Sequence, residues 1–165
     1  MSAAPAPIPE KHGGELDERG SVRLWLRLLS CAMTIEKIVR RRLETEFGTT
    51  LPRFDVLAAL DRAPEGMTMG ALSRRLLVSN GNVTGVVKAL VADGLVSAEA
   101  PPHDRRSSLA RLTPAGERHF ARLAQAHHGW VDELMAGVPA DEREHLFRAL
   151  GRLKLSLGAA EQERS

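Results

Sequence analysis

Two groups of side chains in this sequence have the chemistry to grip a nucleic acid. The first runs from Ser79 to Lys88 and reads Ser-Asn-Gly-Asn-Val-Thr-Gly-Val-Val-Lys. Val83, Val86, Val87, Leu90 and Val91 fall at i, i+3, i+4, i+7 and i+8, the stripe of a helix with one apolar face. Opposite the stripe stand Asn80, Asn82, Thr84, Gly85 and Lys88, and Ser79 is placed to cap the first turn. Carboxamides pair with adenine edges, while hydroxyl and ammonium groups reach phosphates or guanine. Gly81 and Gly85 each cost such a helix roughly 1 kcal/mol against alanine, which close approach of the backbone to DNA would explain. The second group is Asp104-Arg105-Arg106, on a polar, proline-rich loop from Ala100 to Ser108. Adjacent arginines on a projecting loop can enter the narrow, negative minor groove, and Asp104 can hold one of them in a single rotamer. For both groups an ordinary solvated surface is the alternative.

Other chemistries find little support. There is no G-x-S-x-G, no phosphate-binding loop and no H-E-x-x-H. The histidines, His12, His103, His119, His127, His128 and His145, lack metal-ligand spacing. His119 can share a helix face with His127 or His128, but core or surface histidines are the simpler account. No nucleophile, base and orienting group assemble, so neither an enzyme nor a bound cofactor is expected. A small enzyme of unknown chemistry stays as the rival class, to be recognised by turnover.

The elements that must position the two groups follow from periodicity. Ser21 to Phe47 reads as one long helix, with Trp25, Leu28, Leu29, Ala32, Ile35, Val39 and Leu43 at helical spacing. Its first half, Leu24 to Ile35, is apolar nearly all round, which requires cover on more than one side. A shorter helix, Pro52 to Asp61, opens on a proline that suits a first turn. Thr68 caps a third helix reaching Leu76, Ser79 a fourth that Gly94 stops, and Thr113-Pro114 starts a fifth running to about Ala136. Leu95–Glu99 and Leu109–Leu112 read as two short strands around the arginine loop. Pro139 opens a sixth helix whose Leu146, Leu150, Leu153 and Leu157 form a coiled-coil-like seam. Two short helices with a tight break, then a hairpin with a basic tip, is the layout of a winged helix-turn-helix. The prediction is therefore a mainly α protein. It has a tail over residues 1–20, a winged helix-turn-helix over 51–113, and a helical dimerisation region over 21–48 and 114–160.

Composition agrees with this layout. The chain has 165 residues, 43% hydrophobic but only 4% aromatic and without tyrosine, so the core must be aliphatic. The net charge is +2, but from Thr68 to Leu112 six basic residues face three acidic ones, a weak sign of nucleic-acid binding. Cys31 is the only cysteine, which excludes an internal disulfide and fits a reducing cytoplasm. No run approaches the roughly 18 apolar residues of a membrane span, and residues 1–14 lack the regions of a secretory signal.

Several stretches taken in order resemble the MarR family. They are Leu51-Pro52-Arg53-Phe54-Asp55-Val56-Leu57, Met69-Gly70-Ala71-Leu72-Ser73-Arg74-Arg75-Leu76, and Val78 to Val87 followed by Asp93-Gly94-Leu95-Val96. The wing Asp104-Arg105-Arg106-Ser107 and the exit Leu112-Thr113-Pro114-Ala115-Gly116 complete the set. The resemblance implies a homodimer on a palindromic operator in double-stranded DNA, most simply as a repressor. Asn80, Asn82, Thr84 and Lys88 would face the major groove, Arg106 would reach the minor groove, and Asp104 would orient the wing tip. It further implies a small-molecule effector in a pocket between the first, second and fifth helices. Ala71 stands where the family often has glutamate, and Arg53 where it often has glutamine. Parts of the second and fourth helices look like regulators of aromatic-compound catabolism, so a small aromatic effector or an aryl-coenzyme A thioester is expected. Trp25 would line its pocket, and Arg40 or Arg53 would meet an anion. Redox sensing through Cys31 is the alternative, although related peroxide sensors use tyrosines that this chain lacks.

Overall fold

The computed structural model describes residue 8, residues 20–99 and residues 108–162. Its elements, in chain order, are helix α1 (Gly20–Phe47), helix α2 (Leu51–Asp61), strand β1 (Met67–Thr68), helix α3 (Met69–Leu76), helix α4 (Asn80–Ala92), strands β2 (Val96–Glu99) and β3 (Leu109–Leu112), and helices α5 (Pro114–Met135) and α6 (Ala140–Gln162). They form two units that divide within α5, between His127 and His128. Mainly helical architecture with a small antiparallel sheet matches the expectation, and the six helices lie close to the predicted bounds.

The helix ends obey local rules. Gly48 sits in the left-handed region, φ 61°, and stops α1. Pro52 occupies the first turn of α2. The Thr68 hydroxyl caps α3 by accepting from the Ala71 amide at 3.2 Å, so the cap forms without a glutamate at position 71. Ser79 caps α4 in the same way, accepting from Asn82 N at 3.4 Å. Thr113 does so for α5, accepting from Gly116 N at 3.0 Å while donating to the Gly94 carbonyl at 2.7 Å.

In the first unit the core is aliphatic, as composition demands. Leu43 of α1, Leu57 and Leu60 of α2, Leu72 of α3, Leu90 of α4 and Leu123 of α5 are fully buried. Phe54 adds the aromatic part, its ring 5.7 Å from Phe120 and stacked on His127 at 4.7 Å. The inward stripe of α4 is narrower than expected: Val83, Val87 and Leu90 are buried, Val86 is half-buried and Val91 is exposed. The sheet has the order β1-β3-β2. Strand β1, two residues long, was not foreseen; it pairs Met67 with Ala110 and Thr68 with Leu109. Strands β2 and β3 pair from Val96↔Leu112 to Glu99↔Leu109. In the second unit Trp130 is buried. Along α6, Leu146, Leu153 and Leu157 of the seam are exposed, as are Phe147 and Leu155. On α1 only Val39 and Leu43 of the predicted stripe are buried. No helix of the described residues is long and apolar enough to cross a membrane.

Two backbone positions carry the tightest constraints. A Cβ on Gly116 would lie 2.0 Å from the Leu95 carbonyl oxygen, a clash with backbone that no rotamer relieves. Leu77, in the turn between α3 and α4, has φ 55° and is 91% exposed. A left-handed leucine costs roughly 1–2 kcal/mol, and here no burial offsets it. Gly116→Ala is therefore expected to destabilise the protein by about 1–3 kcal/mol through overpacking. Leu77→Gly should be neutral to stabilising by up to about 1 kcal/mol, since glycine's extra chain entropy offsets part of the relief. Urea unfolding of both variants checks this; a Gly116→Ala protein as stable as the parent would contradict the close approach.

Candidate nucleic-acid interface

Helices α2, α3 and α4 pack as a trihelical unit, with Val83, Val87 and Leu90 anchoring α4 from one side. What remains outward on α4 is its polar ridge. Asn80, Gly81, Asn82, Gly85 and Lys88 are exposed and Thr84 is half-buried. At about 100° per residue, Asn80 and Asn82 stand roughly 160° apart around the helix, so they flank the ridge rather than share one line. Gly81, Gly85 and Lys88 lie between them. No atom beyond the helix's own backbone comes within 4 Å of a Cβ built on Gly81 or Gly85, so neither glycine is required by packing.

The hydroxyls are already partly committed. Ser79 accepts from the Asn82 amide, which leaves its proton free to donate to a phosphate. Thr84 donates to the Asn80 carbonyl at 2.8 Å. In this rotamer its oxygen is left to accept. Lys88 is exposed and carries a positive charge.

The wing is built from β2 and β3. Its tip, including Asp104, Arg105 and Arg106, lies outside the described residues. Its base is pinned by Arg111, whose Nε donates to the Glu65 carbonyl at 2.9 Å and whose guanidinium lies 4.0 Å from Glu99. Gly66, at φ 93°, leaves the room that the Arg111 side chain occupies. Sequence reasoning counted Arg74 and Arg75 as basic residues but left them out of the candidate site. Both are exposed in the last turn of α3, next to the turn that leads into α4; their position at a helix C-terminus was the available signal.

The three residues expected at an effector pocket are not gathered within the chain. Trp25 is 56% exposed near the start of α1, about 22 Å along that helix from Arg40. Arg40 pairs with Glu36 one turn earlier at 2.5 Å. Arg53 is held by Asp93 at the C-terminal cap of α4, which ties the start of α2 to the end of α4. Cys31 is exposed on α1. Among the described residues no three His, Cys, Asp or Glu side chains are grouped to hold a metal.

Where α5 passes α2, the His119 imidazole is held below its usual pKa, first by burial and then by Arg122 and Arg53. Asp55 on α2 is shifted the other way: burial raises its carboxyl, Glu36 raises it further, and Arg40 opposes.

A family model described as MarR family matches residues 47–107. The transcriptional activatory protein BadR of Rhodopseudomonas palustris is 39% identical over 146 residues, covering 84% of this chain and 83% of that protein. The crystal structure of a MarR family transcriptional regulator from Silicibacter pomeroyi superposes with a TM-score of 0.72 at 34% identity, over 85% of this chain and 96% of that one. Wild-type MarR from E. coli shares the fold, with a TM-score of 0.68 at 24% identity over 84% of this chain and 98% of that one.

A histidine whose folded pKa is depressed favours folding above its unfolded value of about 6.5 and loses that contribution as pH falls. Acidifying from pH 7.5 to 5.5 is thus expected to lower the melting temperature, and His119→Gln should remove part of that loss. An unchanged pH profile in the variant would assign the loss to other groups.

Proposed function

The chain belongs to the MarR family of transcriptional regulators, and on that premise we propose that it binds a palindromic operator in double-stranded DNA as a homodimer and releases or re-poses it when a small-molecule effector binds. The supporting observation is the pose of α4, anchored by Val83, Val87 and Leu90 with its polar ridge outward beside the wing. Asn80, Asn82, Thr84 and Lys88 read or contact the major groove, Ser79 donates to a phosphate, and Gly85 lets the helix approach closely. Arg106 enters the minor groove, with Asp104 and Arg105 shaping the tip. Arg74 and Arg75 add phosphate contacts. Such a regulator works in the cytoplasm, where its DNA is.

Residues 21–48 and 114–160 supply the dimer interface. A lone chain would expose Val22, Leu24, Trp25 and Met33 on α1 and the leucines of α6, far more apolar surface than a monomer usually presents to water. Trp25, Arg40 and Arg53 act in effector binding only through the assembled dimer, and the effector is a small aromatic molecule or aryl-coenzyme A thioester. Repression is the simplest mode; activation is the second reading, favoured by the likeness to a relative described as activatory. A reporter driven from the operator with and without the regulator separates them by the sign of the change.

Sedimentation at low micromolar concentration should give twice the 18.0 kDa chain mass, and protection should show an inverted repeat with half-sites about 10 bp apart. Asn82→Ala should cost about 1–3 kcal/mol at one base-pair position per half-site. Arg106→Ala should weaken binding to all operator variants and reduce the salt slope by up to about one. A folded monomer, or an Arg106→Ala protein that binds as tightly as the parent at physiological salt, would overturn these assignments.

A further inference from the structure

In the turn between α3 and α4 a leucine stands where the folded chain gains nothing from it. Leu77 is left-handed, φ 55°, and almost wholly exposed. Glycine or asparagine takes this conformation more cheaply, and no burial compensates the leucine. The turn nonetheless pins it. The Leu77 and Val78 amides both donate to the Ser73 carbonyl, and the Ser73 hydroxyl donates to the Val78 carbonyl at 2.5 Å. Strain held on a pinned, exposed side chain points to a gain made on binding. We propose that Leu77 is a specificity-determining contact to DNA, packing on the 5-methyl group of a thymine at the edge of the major groove. This rests on the reading of α4 as the helix that enters that groove.

Charge, continuity and patch size select this partner. From Gly66 to Ala92 the chain has no acidic residue and three cations, Arg74, Arg75 and Lys88. Arg74 and Arg75 are exposed in the turn of α3 just before Leu77, so whatever settles there meets positive charge, which favours a polyanion. Residues 77–82 are exposed without a break. Leu77 is therefore continuous with the start of the α4 ridge, where Ser79 caps the helix and Asn80 opens it. The apolar patch is small. Between Phe47 and Leu112 the large apolar residues exposed among the described ones are Leu77, Val78 and, at the far end of α4, Val91. One leucine beside one valine falls far short of the apolar area that marks a protein interface, but it suits a methyl group. Thymine alone of the four bases presents a methyl in the major groove. Leu77 thus reads a base that the carboxamides of Asn80 and Asn82, suited to adenine edges, leave unread.

The test uses the full chain and the operator defined by protection. Operator binding by the parent is measured first; its absence overturns the regulator reading and this one with it. Thymines of the operator are then replaced one at a time by deoxyuridine, which removes only the methyl. At one position per half-site the parent should lose about fourfold in affinity, the effect of one buried carbon. Leu77→Gly should weaken binding to the intact operator by about tenfold or more. It should also ignore the methyl at that position and keep the parent's salt slope. Arg74→Gln, which removes a phosphate contact, should instead lower the slope by about one. Leu77→Met, which keeps the apolar reach, should hold affinity within about twofold and stay sensitive to the methyl. Leu77→Gly is expected to be at least as stable as the parent, so its lost affinity cannot come from lost folding, and urea unfolding checks this. Parent-like affinity of Leu77→Gly, methyl sensitivity that survives in it, or a lowered salt slope would each overturn the assignment while leaving the regulator reading in place. So would a changed sedimentation mass of Leu77→Gly, which makes the residue a subunit contact, or a parent indifferent to every methyl. The deoxyuridine series on the parent needs no variant and so stands even if a substitution prevents folding.

Discussion

Helix α4, the base of the wing and the start of α5 meet at one peptide, that of Leu95. Its amide donates to the Leu90 carbonyl at 3.0 Å and closes the end of α4. Its carbonyl accepts from the Thr113 amide at 3.1 Å, joining the two wing strands at their root. Gly116 presses against that same carbonyl, where any side chain would collide. The Thr113 hydroxyl completes the joint by bonding Gly94 on one side and capping α5 on the other. Three elements are thus referenced to a few backbone atoms with almost no rotational slack. The angle between α4 and the base of the wing is therefore set by the backbone and not by flexible side chains.

A second tie works from the opposite side. Arg53 reaches across 40 residues to Asp93, joining the start of α2 to the end of α4. The pair is partly exposed, so its worth is small, but it runs parallel to the buried contacts of Val83, Val87 and Leu90. Together they hold α4 along its length, from Val83 in its first turn to Asp93 at its cap.

Much of this was legible in the sequence because helices announce themselves by period and caps. Thr68, Ser79 and Thr113 were identified as caps from residue type alone, and each makes the expected bond. What escaped was whatever depends on two distant segments. Strand β1 is two residues long, too short to show a period, and exists only because β3 offers it partners. The Arg53–Asp93 tie joins α2 to α4, which no local pattern encodes. Gly116 read as part of a familiar helix start; that it faces a carbonyl is a tertiary fact. Asn80 and Asn82 looked like one face because alternation is easy to see in a sequence, whereas 100° per residue sends them to opposite flanks. Trp25 reads as a pocket or dimer residue and the leucines of α6 as a seam between subunits, and in the single chain Trp25, Leu146, Leu153 and Leu157 are exposed. Their apolar character reports on surface that a lone subunit does not cover.

The small sheet has one more property, which follows from its strand lengths. Sheets with long bare edges invite pairing with other chains and so seed aggregation. Here one edge is β1, only two residues long, and the other is β2, four residues long and ending in the Glu99 carboxylate. The central strand, β3, is paired along its whole length with β2 and at Leu109 and Ala110 with β1. Among the described residues there is no stretch of edge on which a neighbouring strand could gain more than a few hydrogen bonds, so the described part of the sheet is a poor template for fibrous growth.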